Sequence, residues 1–185
     1  VLPVKSFPRA KSRTALQDAD RIALAESMVT AVLRALAEVR RLDDILVVTR
    51  EPRAIAAAGG ATVVDDPQEA GHSAAAMIGV RAAADADRVL LVPGDCPLLD
   101  PAEVDRLLAD AGPGVTIVPD RHGTGTNALV LDPPDVMAPS FGPGSCARHA
   151  ALAQAAGAPV RIVSVPSLAF DVDTPDDLAL LRQPA

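Results

Sequence analysis

Four cations crowd the start of this chain. Lys5, Arg9, Lys11 and Arg13 fall within nine residues, and no acid appears before Asp18. The chain carries a formal net charge of −7, so this segment reverses the local sign. Between a strand and a helix, such a loop either holds a triphosphate through its amides and cations or is a solvated basic face. No G-x-x-x-x-G-K occurs, so it is not a P-loop. Acids come later. Asp95 sits in V-P-G-D-C-P-L-L-D (Val92–Asp100), directly after a strongly apolar strand. An acid there suits Mg2+, which takes one or two carboxylates and completes its shell with substrate phosphate and water; the alternative is an Asp turn. Asp100, before Pro101, reads as a helix N-cap. Near the end comes F-D-V-D-T-P-D-D-L (Phe170–Leu178). Asp176 and Asp177 are fully explained by a helix N-terminus, whereas Asp171 or Asp173 is a candidate second metal carboxylate opposite Asp95.

Two further stretches are rich in backbone donors. G-T-G-T-N-A-L (Gly123–Leu129) enters a strand, and F-G-P-G-S (Phe141–Ser145) enters a helix with Arg148 in its first turn. Glycines let an anion approach closely, and Ser145 can donate its hydroxyl; such turns also occur with no ligand at all. His72, His122 and His149 have no metal-ligand spacing and read as solvated or capping residues. Cys96 and Cys146 have no context that would make a Cys-His nucleophile, and Cys96 reads as a small buried side chain.

Positioning these loops requires a scaffold, and the pattern supplies one. Ile22, Ala25, Met28, Val29, Val32, Leu33, Leu36 and Val39 recur at helical spacing, which predicts a helix over Asp18–Arg41. Further helices are expected over Pro52–Ala58, Ser73–Asp85, Pro101–Ala111, Ser145–Ala156 and Pro175–Leu181. Strands are expected at Val1–Val4, Ile45–Thr49, Ala61–Val64, Arg88–Val92, Val115–Val118, Asn127–Leu131 and Val160–Val165. The alternation predicts an α/β fold with a mostly parallel sheet covered on both faces. Ligands then bind beyond the carboxyl ends of the strands, at the loops after Val4, Thr49, Val64, Val92 and Val118.

The 185 residues suggest one domain, 1–185, and the 49% apolar fraction suffices for its core. With no Trp or Tyr, only Phe7, Phe141 and Phe170 can stack on a base, which leaves base recognition to backbone groups. The acidic balance argues against nucleic acid and anionic membranes as partners. No apolar run reaches the roughly 18 residues of a membrane span, no leader is visible, and two cysteines are too few for a disulfide scaffold. A cytoplasmic protein is expected.

Five stretches together resemble the 2-phospho-L-lactate and phosphoenolpyruvate guanylyltransferases of coenzyme F-420 biosynthesis. They are L-P-V-K-x5-A-K-S-R at Leu2–Arg13, V-P-G-D-C-P-L-L at Val92–Leu99, G-T-N-A-L at Gly125–Leu129, F-G-P-G-S-x-x-R-H at Phe141–His149, and D-V-D-T-P-D-D-L at Asp171–Leu178. The G-T-N-A-L and F-G-P-G-S pair is the most specific; the first and last also occur, more loosely, in sugar-phosphate and molybdopterin nucleotidyltransferases. The resemblance implies a Rossmann-like, GT-A-like nucleotidyltransferase fold with Mg2+ as cofactor, and GTP and a three-carbon phospho-acid as substrates. It implies that Lys5, Lys11 and Arg13 hold the GTP phosphates, with Pro3, Ser73 and Gly94 beside the nucleotide. Lys11, Arg13 and Asp95 would form the catalytic set, and Asp95 with Asp171 or Asp173 would hold the metal. Thr126, Asn127, Gly142, Gly144 and Ser145 would bind the acceptor. One departure is specific: the family's G-L-N-x-A is G-H-S-A-A here, with Ser73 at the Asn position. Thr14 also replaces the usual Leu after Arg13.

The expected reaction transfers GMP from GTP to phosphoenolpyruvate with loss of pyrophosphate, with 2-phospho-L-lactate or 3-phosphoglycerate as alternative acceptors. The Ala/Arg/Pro-rich composition suggests a high-GC bacterium, and bacterial members often use phosphoenolpyruvate. By the same resemblance the unstable product passes to the enzyme that adds it to the deazaflavin; homodimerisation stays open. The rival readings are a molybdopterin cytidylyltransferase, a phospho-acceptor signalling domain, which needs acids where this chain has bases, and a catalytically silent nucleotide-binding relative.

Overall fold

A computed structural model describes residues 1–9, 17–172 and 177–179. Its strands are β1 (Leu2–Pro3), β2 (Leu46–Val48), β3 (Thr62–Val64), β4 (Val89–Leu91), β5 (Gly114–Pro119), β6 (Thr126–Asp132) and β7 (Val160–Ile162). Its helices are α1 (Asp18–Ala37), α2 (Pro52–Ala57), α3 (His72–Ala82), α4 (Pro101–Asp110), α5 (Ser145–Ala155) and α6 (Pro166–Ala169). Strands β1, β2 and β3 pair in parallel. In the other half the order is β4-β6-β5-β7, with β6 antiparallel to both β4 and β5, and β7 parallel to β5. The halves meet at Val1, whose nitrogen donates to Leu90 O and whose carbonyl accepts from Val92 N. Bonding to residues on either side of Leu91 is the parallel pattern. The order is therefore β3-β2-β1-β4-β6-β5-β7, a mostly parallel mixed sheet in which β6 alone, among the described strands, runs backwards.

Strand alternation sends side chains to two cores. Leu90, Val118, Ala128 and Val130 face α1 and α4, against Val29, Val32, Val104, Leu107 and Leu108. Val89, Leu91, Val115, Ile117, Leu129 and Leu131 face the other way, onto Ala76 and Val80 of α3 and Cys146 and Ala153 of α5. Both faces are covered, as the apolar runs predict.

Several boundaries differ from expectation, for local reasons. Helix α1 stops at Ala37, not Arg41, because Glu38 N and Val39 N bond to Ala35 O and Leu36 O, tightening the last turn. Helix α3 ends at Ala82 rather than Asp85, where Ala83 N shares Gly79 O and Val80 O. The last strand ends at Ile162, not Val165. One more ladder bond follows, Val163 N to Ile117 O, and then Pro166 opens the unexpected helix α6. Asp100 caps α4 as expected, accepting from Ala102 N at 2.7 Å. Of the terminal helix expected over Pro175–Leu181, only residues 177–179 are described, and they are helical. No helix among the described residues is long and apolar enough to cross a membrane.

Candidate active site

The reversed strand explains how distant loops meet. Strands β1 and β4 run the same way, so the loops after Val4 and Val92 leave from one edge of the sheet. Because β6 is antiparallel, its first residues start at that same edge. There the ladder slips: Val118 pairs with Ala128 but Pro119 with Thr126, so Asn127 is bulged out. Gly125 lies two residues before it, and a Cβ there would lie 2.7 Å from Asp120 Oδ2, so a larger residue would have to displace the Asp120 carboxylate.

These loops surround one pocket of about 630 Å³. It is lined by Pro3, Lys5, Gly94 and Asp95 from the loops after β1 and β4, by Thr126 and Asn127 at the start of β6, by Gly142 and Ser145, and by Asp171. Most residues expected at the site are thus brought together. Gly144 is not on the pocket surface. It caps α5 with φ 70°, and Gly142 has φ 113°; both values favour glycine, and both shape the turn that delivers Ser145. Ser73 also lies off the pocket surface: its hydroxyl accepts from Phe141 N at 2.8 Å, tying the start of α3 to the F-G-P-G-S turn. Lys11, Arg13 and Asp173 lie outside the described residues.

The carboxylates Asp95 and Asp171 belong to neighbouring segments, since Val172 N donates to Asp95 O at 3.1 Å. Asn127 is 6% exposed, and its amide donates to Leu168 O at 2.9 Å and to Asp171 Oδ1 at 3.3 Å. Asn127 therefore orients Asp171 as well as lining the pocket. No group of three or more His, Cys, Asp or Glu gathers at metal-binding distance among the described residues.

The F-G-P-G-S turn is braced from behind. Arg148 donates to Ser140 O, Ser140 Oγ, Phe141 O and Pro143 O at 2.8 to 3.2 Å. His149 is fully buried, with Nε2 2.8 Å from Ser140 N and Nδ1 3.0 Å from Thr126 Oγ1. This corrects the expectation of a solvated or capping histidine. Burial, then the neighbouring Arg148 charge, lowers its pKa to about 4.

Other pocket residues were not expected. His72 stands at the rim, edge-on to Phe141 at 4.6 Å. Although the residue is exposed, the concave wall around its ring lowers its pKa by desolvation, opposed by Asp95 and assisted by Lys5. Asp66 and Glu69 also line the pocket, Glu69 N donating to Asp66 Oδ1 at 3.1 Å. Asp120 Oδ1 accepts from His122 N and Thr124 N, which folds the turn into Gly125. Phe7 is buried and its amide donates to Glu51 Oε2 at 2.8 Å, anchoring the basic loop. The Cys146 thiol is held above its ordinary pKa by burial and by Asp120, which disfavours a thiolate nucleophile. Asp177 does more than begin a helix: it is buried and paired with Arg121, whose guanidinium also covers the Phe170 ring at 5.2 Å.

Residues 1–182 match the family model described as guanylyl transferase, CofC like. A phosphoenolpyruvate guanylyltransferase of Conexibacter woesei is 52% identical over 99% of this chain and 86% of its own length. A 3-phospho-D-glycerate guanylyltransferase of Phenylobacterium zucineum is 40% identical over 96% and 86%. The fold is that of a nucleotidyl transferase from Methanothermobacter thermautotroptrophicus, which superposes with a TM-score of 0.72 at 22% identity over 98% of this chain and 95% of that one. The chain belongs to the CofC-like guanylyl transferase family.

Proposed function

We propose that this enzyme transfers GMP from GTP to the phosphate of phosphoenolpyruvate, releasing pyrophosphate, as a cytoplasmic step towards coenzyme F-420. The observation that carries this reading is one pocket lined by Lys5, Gly94 and Asp95 together with Gly125–Asn127, Gly142 and Ser145. That is room for two anionic substrates meeting near Asp95 and Asp171. Lys5, with Lys11 and Arg13, binds the triphosphate, and the turn at Gly142–Ser145 with Thr126 binds the acceptor.

Asp95 and Asp171 suit magnesium. They are hard oxygen donors on adjoining segments, two in number, as expected where substrate phosphates and water complete the shell. With Asp173 as the alternative second carboxylate, magnesium bound there would supply charge neutralisation at the reacting phosphates. An acceptor phosphate oxygen attacks the GTP α-phosphorus in line. The bond from that phosphorus to the bridging oxygen breaks, and the electron pair leaves with pyrophosphate. The attacking oxygen is already an anion near neutral pH, so no general base is required. This fits a site whose histidines are held towards the neutral form. Lys11 and Arg13 offset the charge that grows on the leaving group.

Pyrophosphate release tests the reading, with GTP, CTP and ATP each offered against phosphoenolpyruvate, 2-phospho-L-lactate and 3-phosphoglycerate. GTP with phosphoenolpyruvate is expected to be fastest. A preference for 3-phosphoglycerate, the acceptor in the name of the Phenylobacterium relative, would change the acceptor but keep the reaction. No release from any pair would overturn the proposal.

A further inference from the structure

His149 is fully buried behind the pocket and bonded at both ring nitrogens, and the reaction above does not use it. Its Nε2 lies 2.8 Å from Ser140 N. A backbone amide can only donate, so Nε2 carries the lone pair and the neutral ring carries its hydrogen on Nδ1. That nitrogen lies 3.0 Å from Thr126 Oγ1, so Thr126 accepts. Thr126 Oγ1 is in turn 3.2 Å from Ser145 Oγ. The two hydroxyls hold two hydrogens, and one of them bridges the pair. The other cannot go to His149, which is donating, and neither hydroxyl has another partner among the described residues. Both residues line the pocket.

We propose that His149 is a positioning residue for the acceptor: fixed as the Nδ1–H tautomer, it turns one hydroxyl hydrogen of the Thr126–Ser145 pair into the pocket as a donor to an anionic oxygen. The inference rests on the acceptor side assigned above. The opposite tautomer would let both hydrogens be consumed inside the protein, Ser145 to Thr126 and Thr126 to His149, leaving the ligand nothing. Protonation would set an Nε2 hydrogen against the Ser140 amide, next to Arg148, the charged side chain that lowers the His149 pKa.

Long-range proton–nitrogen correlation spectra of the 15N-labelled wild-type enzyme read the tautomer directly. The expected result is a protonated Nδ1 and a bare Nε2 for His149 at neutral pH, the reverse of the tautomer favoured by a free imidazole. An Nε2-protonated ring refutes the inference. Kinetics give the second readout. His149→Phe keeps the ring volume but removes the donor, and is expected to raise KM for phosphoenolpyruvate about tenfold with KM for GTP unchanged. An unchanged acceptor KM, or equal rises for both substrates, also refutes it. If His149→Phe does not fold, His149→Gln takes its place; its amide offers one acceptor and one donor and is expected to recover acceptor binding relative to His149→Ala. Equal KM values for these two would overturn the assignment. If wild type turns over no phospho-acid, the functional reading fails, whereas the tautomer measurement still decides this one.

Discussion

Replacing Arg148 tests whether the Ser140–Ser145 turn, proposed above to bind the acceptor, is held in place from outside the pocket. The guanidinium reaches three carbonyls and one hydroxyl in the span Ser140–Pro143, at 2.8 to 3.2 Å. A hydrogen bond to a charged group contributes about 1.5 to 3 kcal/mol. The five contacts share one partly solvated side chain and do not add, so a total near 3 kcal/mol is the reasonable scale. Arg148→Met keeps the aliphatic stem, so the loss falls on the turn rather than on the packing of α5. The amides of Ser140, Phe141 and Ser145 are all hydrogen-bonded, to His149, Ser73 and Gly142. They report local opening by hydrogen exchange. At roughly 1.4 kcal/mol per tenfold, their exchange should accelerate about a hundredfold. Amides in β4 and β5 should keep the wild-type rate, and acceptor KM should rise while GTP KM does not. Exchange at Ser140, Phe141 and Ser145 within about threefold of wild type would refute the bracing role. So would an acceleration spread over the whole chain.

Four more outcomes are expected. Asp95→Asn should lower turnover more than about tenfold, some 1.4 kcal/mol of transition-state stabilisation, with an unchanged melting curve; near-normal turnover at saturating magnesium would exclude Asp95 as a ligand. Ser73→Ala leaves the Phe141 amide without its partner and should cost about 1 to 2 kcal/mol, read as a several-fold rise in acceptor KM with little change for GTP. Arg121→Met removes one charged partner of the buried Asp177 carboxylate and should cost about 1 to 3 kcal/mol, measured by chemical denaturation; a change under about 0.5 kcal/mol would show the pair to be incidental. His149 has a folded-state pKa near 4 against an ordinary 6.5, so the unfolded chain binds more protons between these values. Its contribution is intact above pH 6.5 and is lost as pH falls towards 4, on the order of 3 kcal/mol. Denaturation of wild type and His149→Gln across that window should therefore converge at low pH.

The parts of the site read from sequence were those set by local rules. Asp95 follows a buried strand whose carboxyl end faces the crevice, and that position alone nominated it. Asp100 as a cap and glycine at 142 and 144 are likewise decided within a few residues. The direction of β6 was not read, although a signal existed: residues 120–125 between β5 and β6 are too few for a parallel crossover. Periodicity identifies a strand without giving its direction, and this one reversal carries Thr126 and Asn127 to the edge where Asp95 lies.

Asp66, Glu69 and Asp120 were missed because acids in turns are ordinary, and nothing local separates a turn-former from a turn-former that also lines a pocket. Asp177 shows the converse. Its helix-start setting was a complete local account, yet its carboxylate is paired with Arg121, 56 residues away. His149 lies between these cases. It follows Ser145 by four residues and Arg148 by one on α5, so the hydroxyl and its brace share one turn of helix. The repeat was visible in F-G-P-G-S-x-x-R-H. What the sequence lacked was the far side of the contact, because Thr126 arrives only through the reversed strand. A ring that bonds at both nitrogens to residues 9 and 23 positions away is defined by topology, and its chemistry becomes legible only once the direction of β6 is known.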